Sequence, residues 1–240
     1  MSEIIINEGL IVLRGTAKAV LHGTAKAVLH DMASAELYDS ASAVLYDSAE
    51  AELYDTASAV LRGTAYADLF NSASAELNDS ASAVLRGTAK AVLRGRAKAK
   101  LYDTASAKLY DSASVVLYSS ASAELRDTAS ADLHGTAKAV LHGTASARLE
   151  NSASAELYDT ASAVLFDTAY AELRGTASAV LRDTASAVLR DTAYAELRDT
   201  ASAVNFSKGV GIKVYNNSIV IDRSGRSFVQ TSSGKKAVLF

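Results

Sequence analysis

Metal binding, nucleophilic catalysis, phosphate binding and sugar stacking each need particular residue types at particular spacings, and this chain carries residues that invite all four readings. Its four histidines, His22, His30, His134 and His142, form two pairs spaced by eight residues. With no cysteine in the chain, a zinc site would have to draw its remaining ligands from carboxylates. Asp stands beside Ser or Thr at Asp39-Ser40 and Asp159-Thr160, but a nucleophile needs a base positioned by a third group inside a concavity. Gly-Thr pairs such as Gly15-Thr16 recur without the phosphate-loop spacing and its following Lys-Ser or Lys-Thr. Tyr38, Tyr54, Phe70, Tyr102 and Tyr118 are separated by multiples of sixteen residues, and an exposed aromatic column offers a sugar ring large contact area at little entropy cost. Arg174, Arg182, Arg190 and Arg198 make a local basic strip suited to anions, with too little charge for nucleic acid.

What positions these residues is a repeat. From Leu13 to Val204 the chain divides into 24 octads without insertion or deletion. Leu opens every octad, Ala fills the fifth position, and the seventh is Ala except at Val115. Positions two, six and eight vary, so variation falls on alternate residues, which is the period of a strand with Leu and Ala on one face. At nearly every corner positions three and four are Asp, Gly or Asn followed by Thr or Ser, residues that take up turn geometry and bond their own backbone. Each octad therefore reads as one short strand and one tight corner. A helix is opposed by geometry: an eight-residue step turns about 80° beyond two full turns, so the Leu column would spiral around it and leave no buried face.

One octad buries too little to order itself, and stacking must supply the rest through ladder hydrogen bonds and contacts with neighbouring coils. Two strands per coil give a flattened, two-sheet solenoid of 16-residue coils, and three give a triangular prism of 24-residue coils. The small inward residues favour the first, an all-β solenoid with terminal caps, which as a rod would be about 58 Å long. In that arrangement the members of each histidine pair fall on opposite sheets, so neither a metal site nor a cofactor site is expected. A row of like corners also has no singular place for catalysis, so no enzyme is expected.

The ends differ from the middle. Residues 1–12 carry an apolar run, Ile4, Ile5, Ile6, Leu10, Ile11 and Val12, that could form an irregular first coil over the open end of the core. Residues 205–240 read as a β cap: strands at 211–215, 218–221, 227–231 and 237–240, with turns at Asn216-Asn217 and Ser224-Gly225. This tail has a net charge of +5 and the repeat block, residues 13–204, a net charge of −6, a contrast that would assist head-to-tail contact. The N-terminus lacks the basic start and long apolar stretch of a signal peptide, and no segment reaches the roughly 18 apolar residues of a membrane span. The expectation is a cytoplasmic product with no membrane and no nucleic acid among its partners, with export by another route left open.

The octads resemble the Ala-rich octapeptide arrays of bacterial and phage proteins. Over residues 13–204 they also resemble, more distantly, the 16-residue coils of bacterial ice nucleation proteins. In that family a Tyr-Gly-Ser segment precedes a Thr-x-Thr pair that orders water; here Tyr38-Asp39-Ser40 is followed by Ala41-Ser42-Ala43. The resemblance thus implies a solenoid more strongly than it implies ice binding. The functional expectation is a non-catalytic structural or interaction scaffold that displays side chains or self-associates end to end. The alternative is a module that binds a glycan or ice through one regular outward face.

Overall fold

The computed structural model describes residues 4–223 and the backbone of residues 229–231. The chain is all-β, a β-solenoid with two strands per 16-residue coil. No helix among the described residues is long and apolar enough to cross a membrane.

The described residues fall into two compact units, 4–116 with 120–123 and 117–119 with 124–223 and 229–231. In the first unit one parallel sheet runs from Ile4–Ile6 through Lys18–Leu21 and Ser34–Leu37 to Lys98–Leu101. The other runs from Leu10–Leu13 through Lys26–Leu29 and Ser42–Leu45 to Ser106–Leu109. Successive strands of the chain alternate between the two sheets, and within a sheet Leu21 sits beside Leu37 and Ala27 beside Ala43. The second unit repeats the plan, with one sheet from Ser130–Leu133 to Val229–Thr231 and the other from Lys138–Leu141 to Ile219–Asp222.

Alternation explains the core. Each strand holds positions six, seven, eight and one of the octad scheme, so Ala and Leu point inward while Ser, Val, Lys and Glu point outward. Leu45 and Leu109 are 0% exposed, and the corner alanines Ala41 and Ala113 are equally buried. Small residues at two of every three inward positions let the sheets approach closely, and Val115 is accommodated at 3% exposure.

The first coil follows the same parity. Ile4 pairs with Ala19 and Ile11 with Ala27, so Ile4, Ile6 and Ile11 take inward positions. Ile5, Leu10 and Val12 stand on the outside instead, 65, 67 and 52% exposed. The apolar run therefore adds a coil to the stack, with alternate residues turned away from it.

The tail also adds coils, but at a longer step. Gly211–Val214 pairs with Tyr194–Leu197 and Ile219–Asp222 with Ser202–Asn205, each partner seventeen residues away. One extra residue in the corner after Asn205 accounts for the change, and from there Ile212, Val214 and Val220 replace the small inward alanines and leucines. The Leu column ends in polar residues: Leu189 is followed by Asn205 and then Asp222. Buried Asn205 donates from Nδ2 to Asp222 Oδ1 at 3.1 Å and accepts from the Ser207 amide at 3.0 Å. The expected turn at Ser224-Gly225 and strand at 237–240 lie outside the described residues.

Candidate interaction surfaces

The corners absorb most of the residues that could do chemistry. The fifth-position amide donates to the second-position carbonyl, as Ala41 to Tyr38 at 3.1 Å, which closes a four-residue turn. The third residue is its first central position and is left-handed, with φ of 58° at Asp39 and 61° at Gly23. Asp, Asn and Gly tolerate that region best, which is why they recur there.

In this geometry the third-position amide meets a carboxylate of the next coil. Asp39 Oδ2 accepts from the Gly23 amide, and Asp31 Oδ2 from the Gly15 amide, both at 2.9 Å. The sequence suggested that Asp would bond its own turn; the structure shows a bond sixteen residues away, because the turn amide points along the stack. Where Asp sits over Asp the bond lengthens, to 3.3 Å at Asp31 and Asp47 and 3.4 Å at Asp183 and Asp199. Threonine adds a second link, Thr56 Oγ1 donating to the Asp39 carbonyl at 2.7 Å.

The second-position columns are also stacked. In the first unit the rings of His22, Tyr38, Tyr54 and Phe70 lie face to face at 4.8 to 4.9 Å, and Arg86 lies over both Phe70 and Tyr102. In the second unit Tyr118 stacks on His134 at 5.2 Å. Tyr38, Tyr54, Phe70 and Tyr102 therefore form the expected column, and their neighbours occupy the ring faces that a sugar would use. His30 stacks on Tyr46 in the other corner column, so each member of the His22 and His30 pair has its own stack. His142 stacks likewise on Tyr158, and His134 Nδ1 lies 3.1 Å from Glu150. Among the described residues no group of His, Cys, Asp or Glu is placed to hold a metal ion.

The four arginines of the basic strip divide between the two corner columns and mostly face carboxylates. Arg174 and Arg190 both donate to Glu172 Oε1, at 2.8 and 2.9 Å, and Arg198 donates to Glu196 at 2.7 Å. Arg182 lies over the Phe166 ring at 5.5 Å. Partial burial pushes the Glu172 carboxyl up, but the hydrogen bonds and charges of Arg174 and Arg190 outweigh it and hold the group below the usual carboxylate range.

A third pattern joins strand to corner. Glu at position eight accepts from the second-position side chain two residues on, Glu36 from Tyr38 at 2.7 Å and Glu124 from Arg126 Nε at 2.9 Å. At Glu52 the bond from Tyr54, with partial burial and the negative charge nearby, holds the phenol well above its ordinary value.

A concavity lies on the outer face of the second unit, a groove of about 410 Å³. Its row of Ser130, Ser146, Ser162 and Ser178 ends at Tyr194, and Asp132, Arg148, Val164 and Val180 run alongside. Comparison with known proteins finds no matching family model, no matching curated protein and no matching solved structure.

The sequence carries two further signals of this geometry. Each third-position Gly in the repeat block is followed sixteen residues later by Asp or Asn, as Gly63 by Asp79, Gly87 by Asp103 and Gly135 by Asn151, which are the amide and acceptor of one corner bond. The other is the coil 86–101, which holds Arg86, Lys90, Arg94, Arg96, Lys98 and Lys100 and no acidic residue.

Proposed function

We propose that the chain is a non-catalytic structural and interaction scaffold, a repeat array that holds outward side chains at fixed intervals and associates with copies of itself. The observation that carries this reading is the corner ladder. Asp, Thr, Tyr, His and Arg, the residues that elsewhere do chemistry, are committed to links between successive coils, as at Asp39, Thr56 and Tyr54. Catalysis needs one place unlike all others, and a corner repeated at every coil provides regularity instead.

Hydrogen exchange tests this directly. A scaffold requires amides from Lys18 to Asn205 to be protected evenly, coil after coil, whereas one weak patch beside a concave surface would count against it. Negative-stain microscopy at low and high concentration, with and without residues 205–240, reads out association through the ends.

The serine groove of the second unit favours a second reading, a module that binds glycan or ice through a regular outward face. The 16-residue coil agrees with the resemblance to ice nucleation proteins, and kinship with the octapeptide arrays of bacteria and phages belongs to the same proposal. Ala41 and Ala43, which stand where that family has its Thr pair, are buried at 0 and 5% exposure, so ordered water would have to use other positions. Glycan-array binding or inhibition of ice recrystallisation that disappears when Ser146 and Ser162 are replaced by Lys would promote this reading over the first.

A further inference from the structure

Four consecutive strands of the first unit's sheet carry an ordered set of outward residues: Glu50 and Glu52, then Tyr66 and Asp68, then Ser82 and Val84, then Lys98 and Lys100. Acid lies at one end of this face and base at the other. Both ends are costly to the isolated chain. Glu52 lies beside Asp68 in register, and Lys98 and Lys100 share one strand, so like charges are held close together. All four of Glu50, Glu52, Lys98 and Lys100 are exposed, and neither lysine has a carboxylate within salt-bridge distance among the described residues.

The order is self-complementary. A two-fold axis parallel to the strands, between Tyr66–Leu69 and Ser82–Leu85, reverses the strand order and keeps the position along each strand. It sets Lys98 opposite Glu50 and Lys100 opposite Glu52, both within the same octad position. It also sets bulky Tyr66 opposite Ser82, so a large side chain meets a small one.

We propose that this face is an isologous docking surface for a second copy of the chain, held by the Glu50, Glu52, Lys98 and Lys100 pairs. This rests on the scaffold reading and gives it a lateral mode besides association through the ends. The patch spans four strands, about 14 Å between its outer strands, which places the contact among weak and transient interfaces. Pairing through exposed charges is salt-sensitive, so affinity falls about tenfold between roughly 0.05 and 0.5 M salt.

Charge reversal tests it. The sites already host both residue types, Glu50 and Lys98 at position six and Glu52 and Lys100 at position eight, so the swaps suit the fold. Sedimentation of the full chain is expected to show a dimer at high concentration and low salt. E50K/E52K and K98E/K100E should each be monomeric with unchanged circular dichroism. Their equimolar mixture should dimerise, and the quadruple variant should dimerise alone. A monomeric wild type, dimers in either double variant alone, or a quadruple variant that stays monomeric would overturn the proposal. Should a double variant misfold, the quadruple variant and single K98E decide by the same readout. Even hydrogen-exchange protection in a chain that fails these tests would leave the scaffold reading standing.

Discussion

Asp39 shows how much of this array depends on a residue that buries nothing. Its backbone is left-handed at φ 58°, and its carboxylate accepts the Gly23 amide one coil away. Replacement by Asn keeps both properties, as Asn151 does in accepting the Gly135 amide at 3.2 Å, and should change stability little. Gly keeps the backbone and loses the bond. Ala loses the bond, about 1 kcal/mol, and adds roughly 1 kcal/mol for the left-handed conformation. The expected order in denaturant unfolding is Asn, Gly, Ala, and an Ala variant as stable as Asn would show that the corner bond contributes nothing. Tyr54 gives a pH test. Its folded pKa is raised by the hydrogen bond to Glu52, so the stability it contributes is complete below the unfolded value of about 10 and is lost as pH climbs through the folded value. The melting temperature should fall above about pH 10, and Tyr54→Phe, which keeps the ring stack, should fall less steeply. At this scale the sequence disclosed which residue types occupy a corner but not their partners. An Asp that bonds locally and one that bonds sixteen residues away look alike until the direction of the turn amide is known.

At the scale of strands and corners the octad was legible because its period of two within the strand and its turn residues agree. The 16-residue coil followed from the small inward set. The tail was legible only as strands: the seventeen-residue step depends on one extra residue near Lys208 and Gly209, where no repeat fixes the phase. The four arginines of the basic strip stand two in each corner column, as octads eight apart must, and each meets the Glu or aromatic of its own column, partners that the residue types alone did not disclose. The inward assignment of Leu yields the sharpest prediction here. Leu109 is fully buried and paired in register with Leu93, with Ala91 and Ala107 paired at the adjacent inward position. Leu109→Ala should destabilise by about 3 kcal/mol through the cavity it leaves, and Leu109→Asp by more, because an unpaired charge in that site has no partner. Equal unfolding midpoints for the two variants would contradict the burial of this side chain.

For the molecule as a whole, translational order makes deletion a question of phase more than of size. Removing residues 142–157 takes out one complete coil, both strands and both corners, and joins Leu141 to Tyr158 in the phase that Leu141 has with His142. Ser130–Leu133 would then pair with Ser162–Leu165 and Lys138–Leu141 with Tyr170–Leu173, each with Ala on Ala and Leu on Leu, as in every neighbouring pair. Nearest-neighbour stacking predicts a folded chain whose calorimetric unfolding enthalpy drops by the share of sixteen residues, about 11 kcal/mol. Removing only residues 142–145 deletes a single corner and fuses Lys138–Leu141 to Ser146–Leu149. The inward and outward alternation survives that cut, but the chain can no longer cross to the opposite sheet there, so the pairings of Ser130–Leu133 with Ser146–Leu149 and of Lys138–Leu141 with Ser154–Leu157 are lost. The small deletion should therefore uncouple the coils on either side of the cut and split the melting of the second unit into two transitions, where the fourfold larger one preserves a single transition. The reverse result would mean that the coil is not the unit of stability.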